Sequence, residues 1–126
     1  MSQIQYRLCA YNEILPLKGA DAKYLGFQYK EQAIYIGAFC CGEIVGCCGY
    51  IVKKDKIEFV NDVVKSNYRK KGIYSTLFNI RKNIVASINH KKEYAYCTKM
   101  SVGRYISDGF KVKKEFTNTY KLEKDL

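Results

Sequence analysis

The chain has 126 residues, a length typical of one domain, so we expect a single domain over residues 1–126. Hydrophobic residues make up 48% of the chain, with 12 Tyr and 6 Phe, which excludes a disordered or low-complexity protein. The net charge is +10 at pH 7, and the whole excess lies in residues 51–126, because the first 50 residues hold four basic and four acidic side chains.

The amino-terminal part predicts one strand followed by a short helical region. Alternating residues over Ile4–Tyr11 indicate a strand. Residues 12–32 contain the only proline, Pro16, and predict a loop with one or two short helices, one of them at Asp21–Tyr29.

The next 20 residues, Ala33–Val52, carry a single charge, Glu43, and are long enough to suggest a membrane span. A glutamate near the centre of the bilayer is costly, and four glycines weaken a helix. A buried β-hairpin of Ala33–Cys40 and Ile44–Val52 fits the pattern better. We therefore expect a soluble, cytoplasmic protein that does not enter a membrane.

The second half predicts a strand–helix–strand unit. Val, Ile and Phe are frequent in Ile57–Val64, which indicates a third consecutive strand. Apolar residues then recur at spacings of 4, 3, 4 and 4 from Ile73 to Ile88, as on one face of a helix. A short strand at Tyr94–Lys99 completes a β-α-β crossover, which is normally parallel. A helix at Val102–Asp108 and strands at Phe110–Phe116 and Asn118–Glu123 follow.

These elements predict an α/β fold with a mixed sheet of about six to seven strands. A central β-α-β crossover joins antiparallel strands to the rest of the sheet, and the amino-terminal helical cap is abbreviated. The six cysteines are expected to be free core thiols, because no secretory leader is visible and no C-x2-C ligand spacing occurs. We expect no metal site.

The segment between the third strand and the long helix concentrates positive charge. It contains Arg69, Lys70, Lys71 and Gly72, directly before the helix. The first amides of a helix lack internal acceptors and carry the positive end of its dipole, and a glycine lets a ligand approach the backbone. This pattern predicts an anion site suited to a pyrophosphate. An ordinary basic turn is the alternative, since neither a P-loop nor a G-x-G-x-x-G pattern is present.

The run from Val64 to Ile73 resembles the acetyl-CoA-binding motif of the Gcn5-related N-acetyltransferase (GNAT) superfamily, Arg/Gln-x-x-Gly-x-Gly/Ala. Arg69 and Gly72 match its first two fixed positions. Tyr74 stands where Gly or Ala is usual, and we expect its side chain to narrow the pyrophosphate loop or change which acyl-CoA is held. Residues 101–110 are similar to a second motif of the family, A-x-x-x-Y-x-x-x-G-F, and the order of elements agrees over residues 33–123.

The resemblance implies an acyltransferase in which an amine attacks the thioester of acetyl-CoA directly. Val64 would bind the thioester oxygen through its amide, and Tyr105 occupies the position of the family's thiol-protonating tyrosine; packing beneath the cofactor is the alternative for Tyr105. The implied acetyl-CoA contacts are Val64, Arg69, Lys70, Lys71, Gly72, Ile73, Tyr74 and Ser75.

Two carboxylates are candidates for the general base. Period two predicts that Glu58 and Asp62 share one strand face. Glu58 lies 11 residues before Arg69, a distance similar to that of the catalytic glutamate in the histone-acetylating branch, whereas Asp62 is nearer the strand end and could act through water. His90 is expected at the surface. Cys97 is a weaker candidate nucleophile and is expected in the core.

The sequence leaves several interpretations of the acceptor and of the function. Protein lysines or N-termini come ahead of small amines, because a short cap leaves an open groove that suits a large or anionic acceptor unless a homodimer partner completes it. A nucleic-acid-binding or nucleic-acid-modifying protein is the second interpretation, since aromatics interleave with lysines around Tyr94–Tyr105 and Phe110–Tyr120. These aromatics could equally fill the sheet. A catalytically degenerate interaction module, with Tyr74 blocking the loop, is the third.

Overall fold

The computed structural model describes residues 3–17 and 30–126, and its centre is a seven-stranded sheet of order β1-β2-β3-β4-β5-β7-β6. The predicted α/β class and β-α-β crossover are confirmed. The helix predicted at Asp21–Tyr29 lies outside the described residues. The strands are β1 (Ile4–Cys9), β2 (Ile34–Cys40), β3 (Glu43–Val52), β4 (Lys56–Val64), β5 (Lys92–Thr98), β6 (Lys111–Glu115) and β7 (Thr119–Asp125). The helices are α1 (Tyr11–Ile14), α2 (Ile73–Val85) and α3 (Lys99–Ser107), and a 3-10 turn follows α1 at Leu15–Leu17.

The first four strands form an antiparallel meander. The apolar segment predicted as a hairpin is β2 and β3, joined at Cys41 and Gly42, whose φ angles of 53° and 82° make a tight turn. Two left-handed residues are typical of hairpin turns, since they match the twist of the flanking strands. In the part of the chain that the structure describes, no helix is long and apolar enough to cross a membrane.

Strands β4 and β5 are parallel and are connected by α2. Their pairing is short, because only Lys56–Phe59 and Lys92–Ala95 are in register. On the far side, β7 lies between β5 and β6 and is antiparallel to both. Strand β4 thus continues beyond Phe59 without β5 beside it.

A bulge in β4 changes which side chains share a face. Gly49 is opposite Val60 and Cys47 is opposite Val63, so β4 holds one residue more than β3 over this interval. Asn61 takes a left-handed φ of 57° there, and the Tyr35 hydroxyl donates a 2.7 Å hydrogen bond to its Oδ1 atom. An extra residue reverses the alternation of side chains along a strand.

The predicted shared face of Glu58 and Asp62 is therefore wrong. Asp62 contacts side chains of α2 and α3, whereas Glu58 contacts Lys30, Lys53 and Tyr94 on the other side of the sheet. Strict period two assumes an unbroken strand, and the bulge falls between the two carboxylates.

Helix α2 packs against β2, β3 and β4. The predicted amphipathic helix is confirmed, but it ends at Val85, and the tail of the predicted stripe, Ile80, Ile84 and Ile88, is only partly buried. The buried residues of α2 form a row along the helix face that packs on the sheet, and one of them is an arginine. Its members are Ile73, Leu77, Phe78, Arg81 and Val85.

Two side-chain expectations need correction. The imidazole of His90, expected at the surface, is 3% exposed; Nε2 lies 2.8 Å from Glu93 Oε2 and Nδ1 lies 2.5 Å from the Ile88 carbonyl. The cysteines are free, as expected, and most are buried. Cys41 is exposed, however, because it occupies the hairpin turn.

Candidate functional site

The gap between β4 and β5 is the feature around which the candidate site is built. The Lys65 amide donates to the Val45 carbonyl at 2.9 Å, on the β3 side of β4. Backbone groups of successive residues point to opposite sides of a strand, so the amide and carbonyl of Val64 point away from β3 and into the gap. The Val64 carbonyl accepts a 3.1 Å bond from Arg69 Nε. The amide of Val64, at the end of β4, therefore faces the gap between β4 and β5.

At the end of β4 the chain turns into α2, whose first amides have no acceptor within the helix. Lys70 and Gly72 both have left-handed φ angles, 62° and 81°. The first bond of the helix runs from the Thr76 amide to the Gly72 carbonyl at 3.1 Å. The amides of residues 73–75 precede this bond, and such amides need acceptors from outside the helix. They form the positive end of a 13-residue helix.

Three cationic side chains surround this helix start. Arg69 is half-buried, and Lys70 and Lys71 are exposed. The Lys71 ammonium lies 5.4 Å from the ring centroid of Tyr68. Because Arg69 Nε donates to the Val64 carbonyl, the end of β4 lies against the cationic turn that leads into α2. This arrangement suits a phosphate or pyrophosphate group.

Tyr74 departs from the expected position. Its hydroxyl donates a 2.6 Å hydrogen bond to Asp62 Oδ2, and its ring meets Phe78 edge-on with centroids 6.1 Å apart. Burial, reinforced by the charge of Asp62, raises the pKa of Tyr74 well above its usual value. The side chain leaves the turn for the interior, so it does not narrow the loop.

Asp62 is the centre of a buried polar network. Arg81 reaches it with both terminal nitrogens, at 2.5 Å (Nη1 to Oδ1) and 3.1 Å (Nη2 to Oδ2). The Tyr105 hydroxyl donates to the same Oδ2 at 2.6 Å. A bidentate arginine and two phenols donate four hydrogen bonds to this carboxylate, and a carboxylate can accept about four in all. Asp62 is therefore poorly placed to take a proton from a substrate.

Arg81 is fully buried and is held on several sides. Its Nη1 also donates to the Gly49 carbonyl at 3.1 Å, and its guanidinium carbon lies 4.2 Å from the ring centroid of Phe59. Burial opposes the charge, but the neighbouring Asp62 carboxylate raises the pKa of Arg81 well above its usual value. The ion pair fixes Asp62 against α2.

Tyr105 lies beneath the gap at 1% exposure. Its hydroxyl donates to Asp62 and accepts a 3.2 Å bond from Arg81 Nη2. Burial raises the pKa of Tyr105 well above its usual value; Arg81 opposes this change and Asp62 adds to it. The phenol is neutral at physiological pH, and it must turn from Asp62 before it can donate to a group in the gap.

Glu58 belongs to a separate group of charged side chains on the opposite face of the sheet. It is 4% exposed, and its carboxylate lies 3.3 Å from the Lys30 ammonium and 3.2 Å from the Lys53 ammonium. The Tyr94 hydroxyl donates to it at 3.4 Å. Both lysines are partly exposed, whereas the carboxylate of Glu58 is buried and needs a cation beside it.

Cys97 does not have the properties of a nucleophile. Burial and the nearby Asp62 carboxylate raise its pKa to about 12, so the thiol remains protonated at neutral pH. Within residues 3–17 and 30–126, no three His, Cys, Asp or Glu side chains are placed to hold a metal ion.

Arg81 is the residue of this site that sequence reasoning missed. It follows Leu77 by four residues and precedes Val85 by four, which places it in the middle of a buried row. A charged residue at that spacing was a usable signal, because a buried guanidinium needs an acidic partner. Only the bulge in β4 shows that the partner is Asp62.

Comparison with solved structures shows that this is the fold of N-acetyltransferases. Similar structures include PaiA N-acetyltransferase of Thermoplasma acidophilum in complex with coenzyme A, with 16% identity, 98% of this chain and 99% of that chain covered, and a TM-score of 0.78. Ard1 of Thermoplasma volcanium has 13% identity, coverage of 98% and 97%, and a TM-score of 0.78. NAA60 of Arabidopsis thaliana, in complex with a bisubstrate analogue, has 13% identity, coverage of 98% and 98%, and a TM-score of 0.75.

No family model and no curated protein matches the sequence. The likeness is therefore one of fold, and it confirms the fold expected from the two motif resemblances.

Proposed function

We propose that this protein is an acyl-CoA-dependent N-acyltransferase that transfers an acetyl group from acetyl-CoA to a primary amine. The observation that carries the proposal is the gap between β4 and β5, which leads to a helix start rich in amides and cations. The shared fold supports it, since PaiA N-acetyltransferase has that fold and was solved with coenzyme A.

In this proposal the cofactor lies along the gap. Its pyrophosphate accepts from the amides of Ile73 to Ser75, and Arg69, Lys70 and Lys71 balance its charge. The thioester reaches the mouth of the gap, where the Val64 amide donates to the carbonyl oxygen. That bond strengthens as the oxygen gains negative charge, so it stabilises the transition state more than the bound thioester.

The reaction forms a C–N bond and breaks a C–S bond. The amine lone pair attacks the thioester carbonyl carbon, the tetrahedral intermediate collapses, and coenzyme A leaves as a thiolate that takes up a proton. We assign the donor of that proton or hydrogen bond to Tyr105. When Tyr105 turns toward the sulfur, Asp62 keeps Arg81 and Tyr74 as donors, so its charge stays compensated.

We assign the general base to Glu58 rather than Asp62. The oxygens of Asp62 are held at 2.5 to 3.1 Å by Arg81, Tyr74 and Tyr105. Those of Glu58 are held at 3.2 to 3.4 Å, partly by lysines that solvent reaches. Glu58 precedes Val64 by six residues on β4, about 20 Å along an extended strand, so we propose that the proton of the acceptor ammonium reaches it through water.

We propose a protein lysine or N-terminus as the acceptor, ahead of a small amine. Only 24 residues separate the end of β1 from the start of β2, and they include α1 and the 3-10 turn. Such a short connection provides little chain to enclose a small metabolite, which favours a peptide acceptor.

Mass spectrometry tests this function directly. The protein is incubated with acetyl-CoA and panels of peptides, small amines and oligonucleotides, while released thiol is measured in parallel. We expect a gain of one acetyl group on an amine together with stoichiometric thiol release, and a loss of both in Arg69→Glu. Thiol release without an acetylated acceptor, or no turnover with any acceptor, would contradict the proposal.

A further inference from the structure

Three aromatic rings with flanking lysines form a continuous stripe on the face of the sheet away from α2 and α3. We call it the aromatic–lysine face. Successive ring centroids are 6.4 Å apart from Tyr94 to Tyr96 and 6.5 Å apart from Tyr96 to Phe116. Ala95 and Cys97 pack into the core on the helix side, so the two tyrosines point the other way. The stripe thus crosses from β5 to the turn between β6 and β7.

Two of the three rings are open to solvent. Tyr96 is 52% exposed and Phe116 is 41% exposed. Large aromatic side chains usually lose most of their surface in a core, and two neighbouring exposed rings mark an interaction surface more than a packing requirement. Their planes are inclined by 45°, which leaves ring surface available to a flat ligand.

Lysine ammonium groups accompany every ring. Lys121 lies 5.8 Å from the centroid of Tyr96, and Lys114 lies 5.2 Å from that of Phe116. Lys53 and Lys56 lie 5.4 and 5.8 Å from Tyr94.

Three carboxylates share this face, and each is paired with a lysine. Glu58 pairs with Lys30 and Lys53, Glu123 pairs with Lys92 and Lys121, and Asp125 lies 3.8 Å from Lys92. Lysines remain in excess, consistent with the location of the entire +10 charge in residues 51–126.

We propose that the aromatic–lysine face binds single-stranded nucleic acid. Exposed rings offer stacking platforms for unpaired bases, and the flanking ammonium groups lie where a phosphate backbone would pass. An acidic peptide would satisfy the lysines but would leave the exposed rings without a flat partner. This binding does not depend on the acyl-transfer chemistry, so the two proposals can fail separately.

Fluorescence anisotropy with a labelled 12-nucleotide oligo(dT) and oligo(U) tests the proposal on the full chain. We expect saturable binding that weakens as salt increases, and a further loss of about fivefold or more in Tyr96→Ala or Phe116→Ala, since stacking on an aromatic ring is worth about 1–3 kcal/mol per base. Leu8→Ala, at an exposed apolar position on β1, removes similar surface elsewhere and should leave binding unchanged.

A charge control separates stacking from simple attraction. Lys114→Ala should weaken binding, whereas Lys82→Ala, which removes an equal charge from α2, should not. Equal loss in both lysine variants, with no effect of Tyr96→Ala, would overturn the proposal in favour of general attraction to polyanions. A poly-glutamate peptide that binds as tightly as the oligonucleotides and depends on Tyr96 would overturn it in favour of an acidic protein partner.

Discussion

The hydroxyl of Tyr74 donates a 2.6 Å hydrogen bond to Oδ2 of Asp62, and this contact explains how the chain accommodates a bulky residue at the start of α2. The related motif has Gly or Ala at that position. Here the tyrosine ring turns into the interior, and a carboxylate on β4 receives its hydroxyl. The side chain of Tyr74 therefore points away from the turn before Ile73.

Asp62→Asn should be strongly destabilising. The change leaves the fully buried Arg81 without its counter-charge, and breaking a buried ion pair costs about 3–5 kcal/mol. Tyr74→Phe removes one hydrogen bond to a charged acceptor and should cost about 1.5–3 kcal/mol. Urea unfolding measures both. A cost below about 1 kcal/mol for Asp62→Asn would show that the pair does not hold the fold.

Gly72→Ala should be destabilising through backbone strain alone. A Cβ atom at this position meets nothing within 4 Å, but φ is +81°, and a left-handed conformation costs a residue with a side chain about 1–2 kcal/mol.

Gly103→Ala is the matched control for this prediction. Gly103 lies within α3, where a Cβ atom also meets nothing within 4 Å, and its φ is not left-handed. Alanine should stabilise the helix by about 0.5–1 kcal/mol. The free energy of unfolding, measured by heat or urea, should therefore change with opposite sign in the two variants. Equal changes would contradict the claim that the left-handed φ of Gly72 causes the loss.

Stability should fall as the pH rises above 9, partly because of Cys97. Its pKa rises from the ordinary 9.0 to about 12 in the folded protein, so between these values the folded state holds a proton that the unfolded state has lost. This contribution is complete below pH 9 and is lost toward pH 12. The free energy of unfolding should fall less steeply in Cys97→Ala than in the wild type, by at most about 1.4 kcal/mol per pH unit. Parallel slopes from pH 8 to 11 would contradict the assignment.

Much of the fold was predictable because the period of the apolar residues follows the secondary structure. The change from strand to helix after Val64, the hairpin at Cys41 and the β-α-β crossover all follow from local pattern. The insertion of β7 between β5 and β6 was not predictable, since strand order depends on long-range pairing.

The site was predictable in its backbone and much less so in its side chains. Gly72 marks the turn, and a glycine pattern specifies that position locally. The bulge at Asn61, the partner of Arg81 and the direction of Tyr74 depend on contacts between β4, α2 and α3. A one-residue change of alternation in β4 was sufficient to separate Glu58 from Asp62.

Glu58→Gln should lower kcat about 10²–10⁴-fold if Glu58 accepts the proton of the acceptor amine. KM for acetyl-CoA should change little, because the carboxylate lies on the opposite face from α2. Lys53→Ala, which removes one of its ammonium neighbours, should leave most of the activity. Steady-state kinetics with a peptide acceptor measures this, and a kcat within threefold of the wild type would exclude Glu58 as the base.

Titration calorimetry with acetyl-CoA tests the central claim most directly, namely that the start of α2 binds the cofactor. We expect one molecule bound per chain, and a loss of at least tenfold in affinity in Arg69→Glu with little change in Lys54→Glu, which reverses a charge in the exposed turn between β3 and β4, at the other end of β4. The absence of binding to the wild-type protein, or equal affinity in the Arg69→Glu variant, would contradict the proposed cofactor site.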